Sequence, residues 1–392
     1  MRRERLSPRS NWQKQFNDLG FHFHTPGEIY WDESVCYHFT SREIDEIDQA
    51  TANLHQLCLK AVNRIILRHE FESFALPQWF EEQVIDSWHA DSPTLFGRFD
   101  LCYDGAGPPK LLEYNADTPT SLVEASIAQW NWQQEVFPAA DQFNLLHEKL
   151  IARWQALAAD FPLVYFACVQ DHAEDQGNLD YMRDTAIQAG INTRPIPIEE
   201  LGWSASGRSF VDLDGEPIPA LFKLYPWEWL AHEEFGAFIP QSKMKLIEPA
   251  WKVLLSSKAI LPILWDMEPG HPNLLPCFLN ETAITAPYVK KPRYGREGAN
   301  VEIHTKGGII AEPGDYGSEG HVYQAYEPLP DFEGNYPVIS SWIVGDEPAG
   351  MGIRENSKRI TTNMSRFVPH YFGANVLRSN FRIHLLFSEQ VH

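Results

Sequence analysis

The apolar positions between residues 44 and 65 recur at alternating three- and four-residue steps, which predicts an amphipathic helix. They are Ile44, Ile47, Thr51, Leu54, Cys58, Ala61 and Ile65. Thr40 and Glu43 precede this segment at the spacing of a capping box. Acids lie at the start of the segment and bases at its end, as the helix dipole favours. We therefore expect one long scaffold helix.

Between residues 99 and 115, apolar segments flank the turn sequence DGAGPP, which predicts two antiparallel strands. Asp100, Glu113 and Asn115 would lie on these strands, and Glu113 and Asn115 would share a face because side chains alternate along a strand. Such oxygen donors suit Mg²⁺, although an E-x-N pair is also common at the end of ordinary strands.

A helix is expected directly after this hairpin. Thr118 and Pro119 have the form of an N-cap and a first helical residue, which predicts a helix from there to about residue 133. The free amides at such a helix start suit anionic ligands.

Residues 163–201 have the pattern of a strand, a helix that ends at Gly190, and a second strand. This β-α-β unit contains no G-x-G-x-x-G turn, so a dinucleotide site is not expected. The loop after its first strand holds Asp171, Glu174 and Asp175, which are either solvated or face a substrate.

A further helix is predicted over residues 248–265. Pro249 would open it, Pro262 would stop or kink it, and Lys258 would lie near its end. Residues 286–354 then change to short β-rich segments separated by glycine-rich turns.

The 392 residues include 53 acids and 32 bases, and the resulting formal charge of -21 repels nucleic-acid phosphates and anionic lipid surfaces. This acidity favours a cationic substrate such as a polyamine, or it serves solubility alone. The five cysteines lack metal or disulfide spacing. No apolar segment follows the basic start or is long enough to span a bilayer, so we expect a cytoplasmic protein.

Three segments in the C-terminal half could contact a phosphorylated ligand. Residues 290–300 pair bases with a glycine loop that either closes over a triphosphate or forms an ordinary surface hairpin. Residues 324–327 offer backbone groups to an adenine edge or form a plain core strand. Arg354, like Arg98 in the first hairpin, can bridge phosphate or carboxylate oxygens or form a surface ion pair.

These segments belong to longer strings that follow one family's order from about residue 20 to the C-terminus. The strings are FGRFDLCYDG, KLLEYNADTPTSLVEASIAQWNW, KLYPWEW, IEPAWKVLLSSKAILPILWDMEPGHPNLLPCFL, KPRYGREGANV, YQAYEPLP and DEPAGMGIREN. As a set they resemble the synthetase half of bacterial glutathionylspermidine synthetase and its stand-alone relatives, the acid–amine ligases with a pre-ATP-grasp domain.

The resemblance implies an α/β protein with an ATP-grasp fold and a pre-ATP-grasp, Rossmann-like domain. Residues 1–392 would form one unit with three regions. These are an N-terminal helical region with the metal-binding hairpin (1–135), a pre-ATP-grasp α/β region (136–245) and the nucleotide-binding region (246–392).

The resemblance also implies residue roles. Two Mg²⁺ ions would be held by Asp100, Glu113 and Asn115. The ATP phosphates would contact Lys258, Lys291, Glu297 and Gly298, and the adenine would be framed by Gln324, Ala325, Tyr326 and Glu327. Arg354 would stabilise the transferred phosphoryl group, with Arg98 as a second catalytic candidate. The acid or amine substrate would contact Arg98, Thr118, Glu174 and Asp175.

Two departures from the family pattern change these expectations. The sequence contains no amidase half, so we do not expect hydrolysis of the ligated product. Leu224 follows Lys223 at a position where glutathionylspermidine synthetases would carry a small hydroxyl residue. The resemblance therefore does not identify glutathione as the acid, and it identifies neither the amine nor the oligomeric state.

The expected activity is an ATP- and Mg²⁺-dependent ligase that joins a carboxylate to an amine through an acyl-phosphate. Two alternatives stay open: an ATP-dependent small-molecule kinase, and a non-catalytic protein that binds nucleotide or polyamine. Amine-dependent release of ADP and phosphate would distinguish the ligase from both.

Overall fold

The predicted hairpin of residues 99–115 is confirmed and forms part of a five-stranded antiparallel sheet. The computed structural model describes residues 1–373. Within them, strands are β1 (Arg2–Arg5), β2 (Val35–Phe39), β3 (Phe96–Cys102), β4 (Lys110–Asn115), β5 (Leu163–Cys168), β6 (Asn192–Pro197), β7 (Gly202–Ser204), β8 (Ser209–Val211), β9 (Ala220–Lys223), β10 (Lys245–Ile247), β11 (Cys277–Phe278), β12 (Tyr288–Pro292), β13 (Glu302–Thr305), β14 (Gly308–Ala311), β15 (His321–Ala325), β16 (Tyr336–Val344), β17 (Glu347–Asn356), β18 (Arg366–Phe367) and β19 (His370–Phe372). Helices are α1 (Trp12–Asp18), α2 (Ser41–Arg68), α3 (Gln78–His89), α4 (Gln129–Val136), α5 (Leu146–Leu157), α6 (Ala173–Gln188), α7 (Trp227–Leu230), α8 (Val253–Ser256) and α9 (Ile260–Met267).

The central sheet has the strand order β18-β17-β16-β3-β4. In its register, Asp100 on β3 lies opposite Glu113 on β4 and opposite Ser340 on β16. β17 pairs with β16 through a hairpin at Gly345 and carries Arg354. The sheet therefore joins residues near position 100 to residues near position 354.

The chain between β4 and β16 forms two further large sheets. The first is parallel, in the order β10-β9-β5-β6, and contains the predicted β-α-β unit as β5, α6 and β6. The second is antiparallel, in the order β11-β15-β12-β13-β14, and contains the predicted β-rich segments. The fold is thus mixed α/β with several sheets.

The predicted scaffold helix is confirmed as α2, including the capping box between Thr40 and Glu43. Its apolar stripe is buried in the largest core cluster, where Leu54, Cys58 and Ile65 are completely enclosed. No helix among residues 1–373 has the length and apolar character needed to cross a membrane.

The helix expected at Pro119 begins instead at Leu122, so that prediction was wrong. Thr118 belongs to the turn after β4, because its amide donates to the Asn115 side chain (3.3 Å). Ser121 has a left-handed φ of 74°, and the Leu122 amide donates to the Asn178 side chain (2.8 Å). The helix start is therefore bonded to α6 and is not an open anion site.

Two smaller predictions also differ from the structure. Glu174 and Asp175 lie in the first turn of α6, not in a loop. The segment that contains Lys258 breaks between α8 and α9 rather than at Pro262. Pro262 lies in the first turn of α9, where a missing amide hydrogen costs no helical hydrogen bond.

We expect Leu54→Ala to lower the free energy of unfolding by about 3 kcal/mol, because it leaves a cavity in the closed core. Leu67→Ala on the same helix is the matched control, since Leu67 is 69% exposed. It should change stability by less than about 0.5 kcal/mol. Chemical denaturation measures both, and equal losses would contradict this assignment of the core.

Candidate active site

A cleft with two connected cavities lies where the central sheet meets the sheet of β11–β15. The first cavity extends from Asp100 and Lys291 to Tyr326, and the second extends from Arg98 and Asn115 to Glu174. Both are lined by Glu113, Lys258, Gly295, Arg296, Glu297, Ala299 and Arg354. They therefore form one continuous site.

The structure brings all the candidate residues to this cleft. The first cavity contains Asp100, Glu113, Lys258, Lys291, Glu297, Gly298, Gln324, Ala325, Tyr326, Glu327 and Arg354. The second adds Arg98, Asn115, Thr118, Glu174 and Asp175. Residues that are more than 200 positions apart in the sequence thus meet in one place.

Asp100 is the buried centre of a charged network. Its Oδ1 accepts hydrogen bonds from Arg98 Nε (3.1 Å) and Ser340 Oγ (2.8 Å), and its Oδ2 accepts one from Arg354 Nη2 (3.2 Å). Two guanidinium groups from different strands therefore converge on one carboxylate. Arg354 Nε is buried without a hydrogen-bond partner, so it has a donor available for a ligand.

Glu113 and two lysines form the second part of the network. Lys258 Nζ lies 2.8 Å from Glu113 Oε2 and donates to the Gly295 carbonyl (2.9 Å). Burial acts to raise the pKa of Glu113, but Lys258 and then Lys291 outweigh it and hold this pKa below its usual value. The carboxyl group is therefore ionised at neutral pH.

Lys291 is held at the floor of the first cavity. Its Nζ donates to Gln324 Oε1 (2.7 Å) and to the Leu112 carbonyl (2.9 Å). Burial lowers the pKa of Lys291 to about 8, against the opposing effect of Glu113. This lysine is mostly charged at neutral pH and loses its charge as the pH rises through that value.

The turn at residues 295–300 closes over both cavities. Glu297 and Gly298 have left-handed φ values of 57° and 70°, and a Cβ at Gly298 would collide with the Thr361 carbonyl. The turn is fixed to α7 because Arg296 Nη2 donates to Glu228 Oε1 (2.7 Å) and its guanidinium lies 5.0 Å from the centre of the Trp229 ring. We call residues 295–300 the lid turn.

The second cavity has an acidic side and an apolar side. Burial raises the pKa values of Glu174, Asp175 and Glu297, and each of the three has an acidic neighbour that adds to the effect. The apolar side is lined by Val169, Leu224, Pro226 and Trp229. The cavity can therefore accept a cationic group and an apolar group side by side.

Sequence reasoning missed Glu228, Ser340 and the specific contact of Arg296. Arg296 lay in the basic glycine loop, and Glu228 lay in the KLYPWEW string, but neither position reveals that the two residues pair. Ser340 lies in an apolar strand, where a serine carries no distinctive signal. Only the strand register puts it opposite Asp100.

The oxygen donors fit Mg²⁺. Asp100 and Glu113 are direct cross-strand partners, so their carboxylates lie on one face of the sheet, next to Asn115. The described residues contain no group of three or more His, Cys, Asp or Glu side chains arranged to hold a metal. Mg²⁺ does not require such a group, since it is often held by one or two carboxylates together with substrate phosphates and water.

A mixed α/β fold with paired carboxylates, buried lysines and a free guanidinium donor in one cleft has the features of a phosphate-using enzyme. The sequence profile of the family described as glutathionylspermidine synthase preATP-grasp matches residues 3–373. The chain belongs to this family.

Relatives extend this finding. A Haemophilus influenzae protein, named as a candidate acid–amine ligase, is 42% identical over 93% of this chain and 97% of its own length. The bifunctional glutathionylspermidine synthetase/amidase of Escherichia coli is 28% identical over 87% of this chain. The trypanothione synthetase of Crithidia fasciculata is 29% identical over 79%. The matches cover 60% and 52% of these two longer proteins.

Among solved structures, a glutathione synthetase-like effector from Globodera pallida superimposes with a TM-score of 0.56. The match covers 94% of this chain and 98% of the effector at 11% sequence identity. At this identity the likeness concerns the fold, which is therefore glutathione synthetase-like.

We expect Glu228→Gln to loosen the lid turn, because it removes the charged partner of Arg296. Amide hydrogen exchange at Ala299 and Asn300 should accelerate about tenfold. Lys290→Gln is the matched control, since it breaks the Lys290–Glu302 ion pair within the sheet of β11–β15 without touching α7. Equal exchange in both variants would show that the Arg296–Glu228 pair does not hold the turn.

Proposed function

We propose that this chain is an ATP- and Mg²⁺-dependent acid–amine ligase that forms an amide bond through an acyl-phosphate. One observation carries the proposal: Asp100 and Glu113 from the early hairpin share a cleft with Lys258, Lys291 and Arg354 from the other half of the chain. This set combines oxygen donors for a metal with cations for a triphosphate.

The first cavity is proposed to bind ATP. Its walls include the apolar side chains Val289, Ile303 and Ile360, which suit a planar base. Residues 324–327 would frame the adenine edge, and the lid turn at Glu297 and Gly298 would cover the phosphates. The name ATP-grasp describes this arrangement, in which the base and the phosphates lie between two sheets.

In the first step, the substrate carboxylate attacks the γ-phosphorus of ATP, which forms an acyl-phosphate and releases ADP. Lys258, Lys291 and Arg354 offset the negative charges that otherwise keep carboxylate and triphosphate apart. Mg²⁺ held by Asp100, Glu113 and Asn115 would supply further charge neutralisation at the phosphate oxygens. Arg98 and Thr118 would orient the carboxylate.

In the second step, the amine attacks the acyl carbon and phosphate leaves. An aliphatic ammonium group has a pKa of about 10.4 and must lose a proton before it can attack. Glu174, Asp175 and Glu297 would attract the ammonium group, and Glu174 is our candidate to accept the proton because burial raises its pKa. The lid turn would exclude water from the acyl-phosphate.

The named activities of the relatives support this class of reaction, and they place a polyamine among the amines to be tested. Leu224 lies on the apolar side of the second cavity, so the acids to be tested include apolar carboxylates as well as glutathione. We propose three regions at 1–135, 136–245 and 246–392, with the parallel sheet as the pre-ATP-grasp region.

The test is a matrix of acids and amines incubated with the protein, ATP and Mg²⁺. ADP release that requires both substrates, together with a product whose mass is their sum less water, would support the ligase. Phosphorylated acid as the final product would instead identify a kinase. Nucleotide binding with no turnover across the matrix would contradict a ligase for these substrate classes.

Once an acid and an amine that react are identified, Arg354→Lys should lower kcat by about a thousandfold, because lysine lacks the forked donors that bridge phosphoryl oxygens. Lys306→Met, in the β13–β14 turn and outside the cleft residues, is the control and should keep wild-type rates. An Arg354→Lys rate within about threefold of wild type would remove Arg354 from the proposed mechanism.

A further inference from the structure

Glu124 is a buried carboxyl group that none of the steps above uses. It is 1% exposed and opens the π-helical segment Glu124–Ala128 that leads into α4. Its Oε1 accepts a hydrogen bond from the Tyr30 hydroxyl (2.6 Å), whereas its Oε2 is buried without a partner. An ionised carboxylate with an unpaired buried oxygen is disfavoured, so this geometry favours the protonated form of Glu124.

The segment that carries Glu124 is fixed against two elements of the cleft. Asn178 links it to α6, because the Asn178 side chain accepts from the Leu122 amide (2.8 Å) and donates to the Glu174 carbonyl (2.9 Å). On the other side, Ala125 packs against β17, where a Cβ at Gly352 would meet the Ala125 Cβ at 3.2 Å. Glu124 is therefore held behind the cleft, next to the elements that carry Glu174 and Arg354.

The surrounding ionisable groups leave Glu124 short of positive charge. They are Tyr30 from the N-terminal segment, Glu174 from α6 and Arg354 from β17. Burial first, and then Glu174, raise the pKa of Glu124 to about 8, although Tyr30 and Arg354 act in the opposite direction. Arg354 is thus the main cation near Glu124, and it is already shared with Asp100.

We propose that Glu124 is a positioning residue that acts through Arg354. As an uncharged acid hydrogen-bonded to Tyr30, it supports β17 and does not compete with phosphate oxygens for the Arg354 guanidinium. Loss of its proton places another anion beside Arg354 and weakens the binding of phosphate oxygens there. The inference rests on the proposed function, since it takes Arg354 to contact the nucleotide phosphates.

The test compares wild-type protein with Glu124→Gln in calorimetric titrations with Mg²⁺ and the non-hydrolysable analogue AMP-PNP. Glutamine still accepts the Tyr30 hydrogen bond but cannot ionise. At about pH 6.5 the two dissociation constants should agree within about twofold, and at about pH 9 the wild type should bind about fivefold more weakly than the variant. The ratio of the two dissociation constants at each pH is compared, because Lys291 loses its charge over the same pH range in both proteins.

Proton uptake gives a second readout that a purely structural role would not change. Near pH 8, binding of the anionic analogue should favour protonation of Glu124 in the wild type. Titrations in buffers of different ionisation enthalpy should therefore show more protons taken up on binding by the wild type than by Glu124→Gln. Glu82→Gln, which changes an exposed residue of α3, should follow the wild type at each pH.

Tyr30→Phe keeps the inference testable if Glu124→Gln does not fold. It removes the hydrogen bond that favours the charged carboxylate, so the alkaline loss of affinity should move to higher pH than in the wild type. The inference about Glu124 would be overturned if wild type and Glu124→Gln showed the same pH dependence and the same proton uptake. It would also be overturned if the pH dependence of binding did not shift in Tyr30→Phe. Either result would leave the proposed function standing. Absence of AMP-PNP binding by the wild type would overturn the proposed function together with the inference about Glu124.

Discussion

The pairing of β3 with β16 is the interaction on which the rest of the site depends. It joins residues 96–101 to residues 339–344 in one antiparallel ladder. This ladder puts Asp100 opposite Ser340, with β16 as the one strand between Asp100 and Arg354. Contacts this distant in sequence carry a high cost in loop-closure entropy, which the buried sheet must offset. Without the ladder, the early hairpin would keep its two carboxylates but lose Arg354 as a partner of Asp100.

Electrostatics then determine what this geometry can do. Asp100 and Glu113 are cross-strand neighbours and would repel each other, yet Arg98, Arg354 and Lys258 lie close enough to keep the site charged and hydrogen-bonded. In the second cavity Glu174, Asp175 and Glu297 form an acidic cluster, in which each acid has an acidic neighbour that raises its pKa. One end of the cleft therefore suits a bound phosphate and metal, and the other end suits an ammonium group.

Local patterns predicted the elements well, whereas contacts between distant elements could not be predicted. The period of apolar residues and the capping box identified α2, and turn residues identified the β3–β4 hairpin, because each signal lies within a few residues of the structure it determines. The start at Leu122 was missed because Ser121 and the Asn178 bond displace the helix from the Thr118–Pro119 signal. The contact between Arg296 and Glu228 depends on packing of α7 against the lid turn, which no local pattern encodes. The roles of the cleft residues stay predictions.

The central claim is that the early hairpin and the late strands bind one metal–nucleotide complex between them. The most direct measurement is a crystal structure with Mn²⁺ and AMP-PNP, in which anomalous scattering locates the metal. We predict a peak bonded to Asp100 and Glu113, with the terminal phosphate of the analogue against Arg354. A nucleotide that binds elsewhere, or a metal that contacts neither carboxylate, would contradict the account.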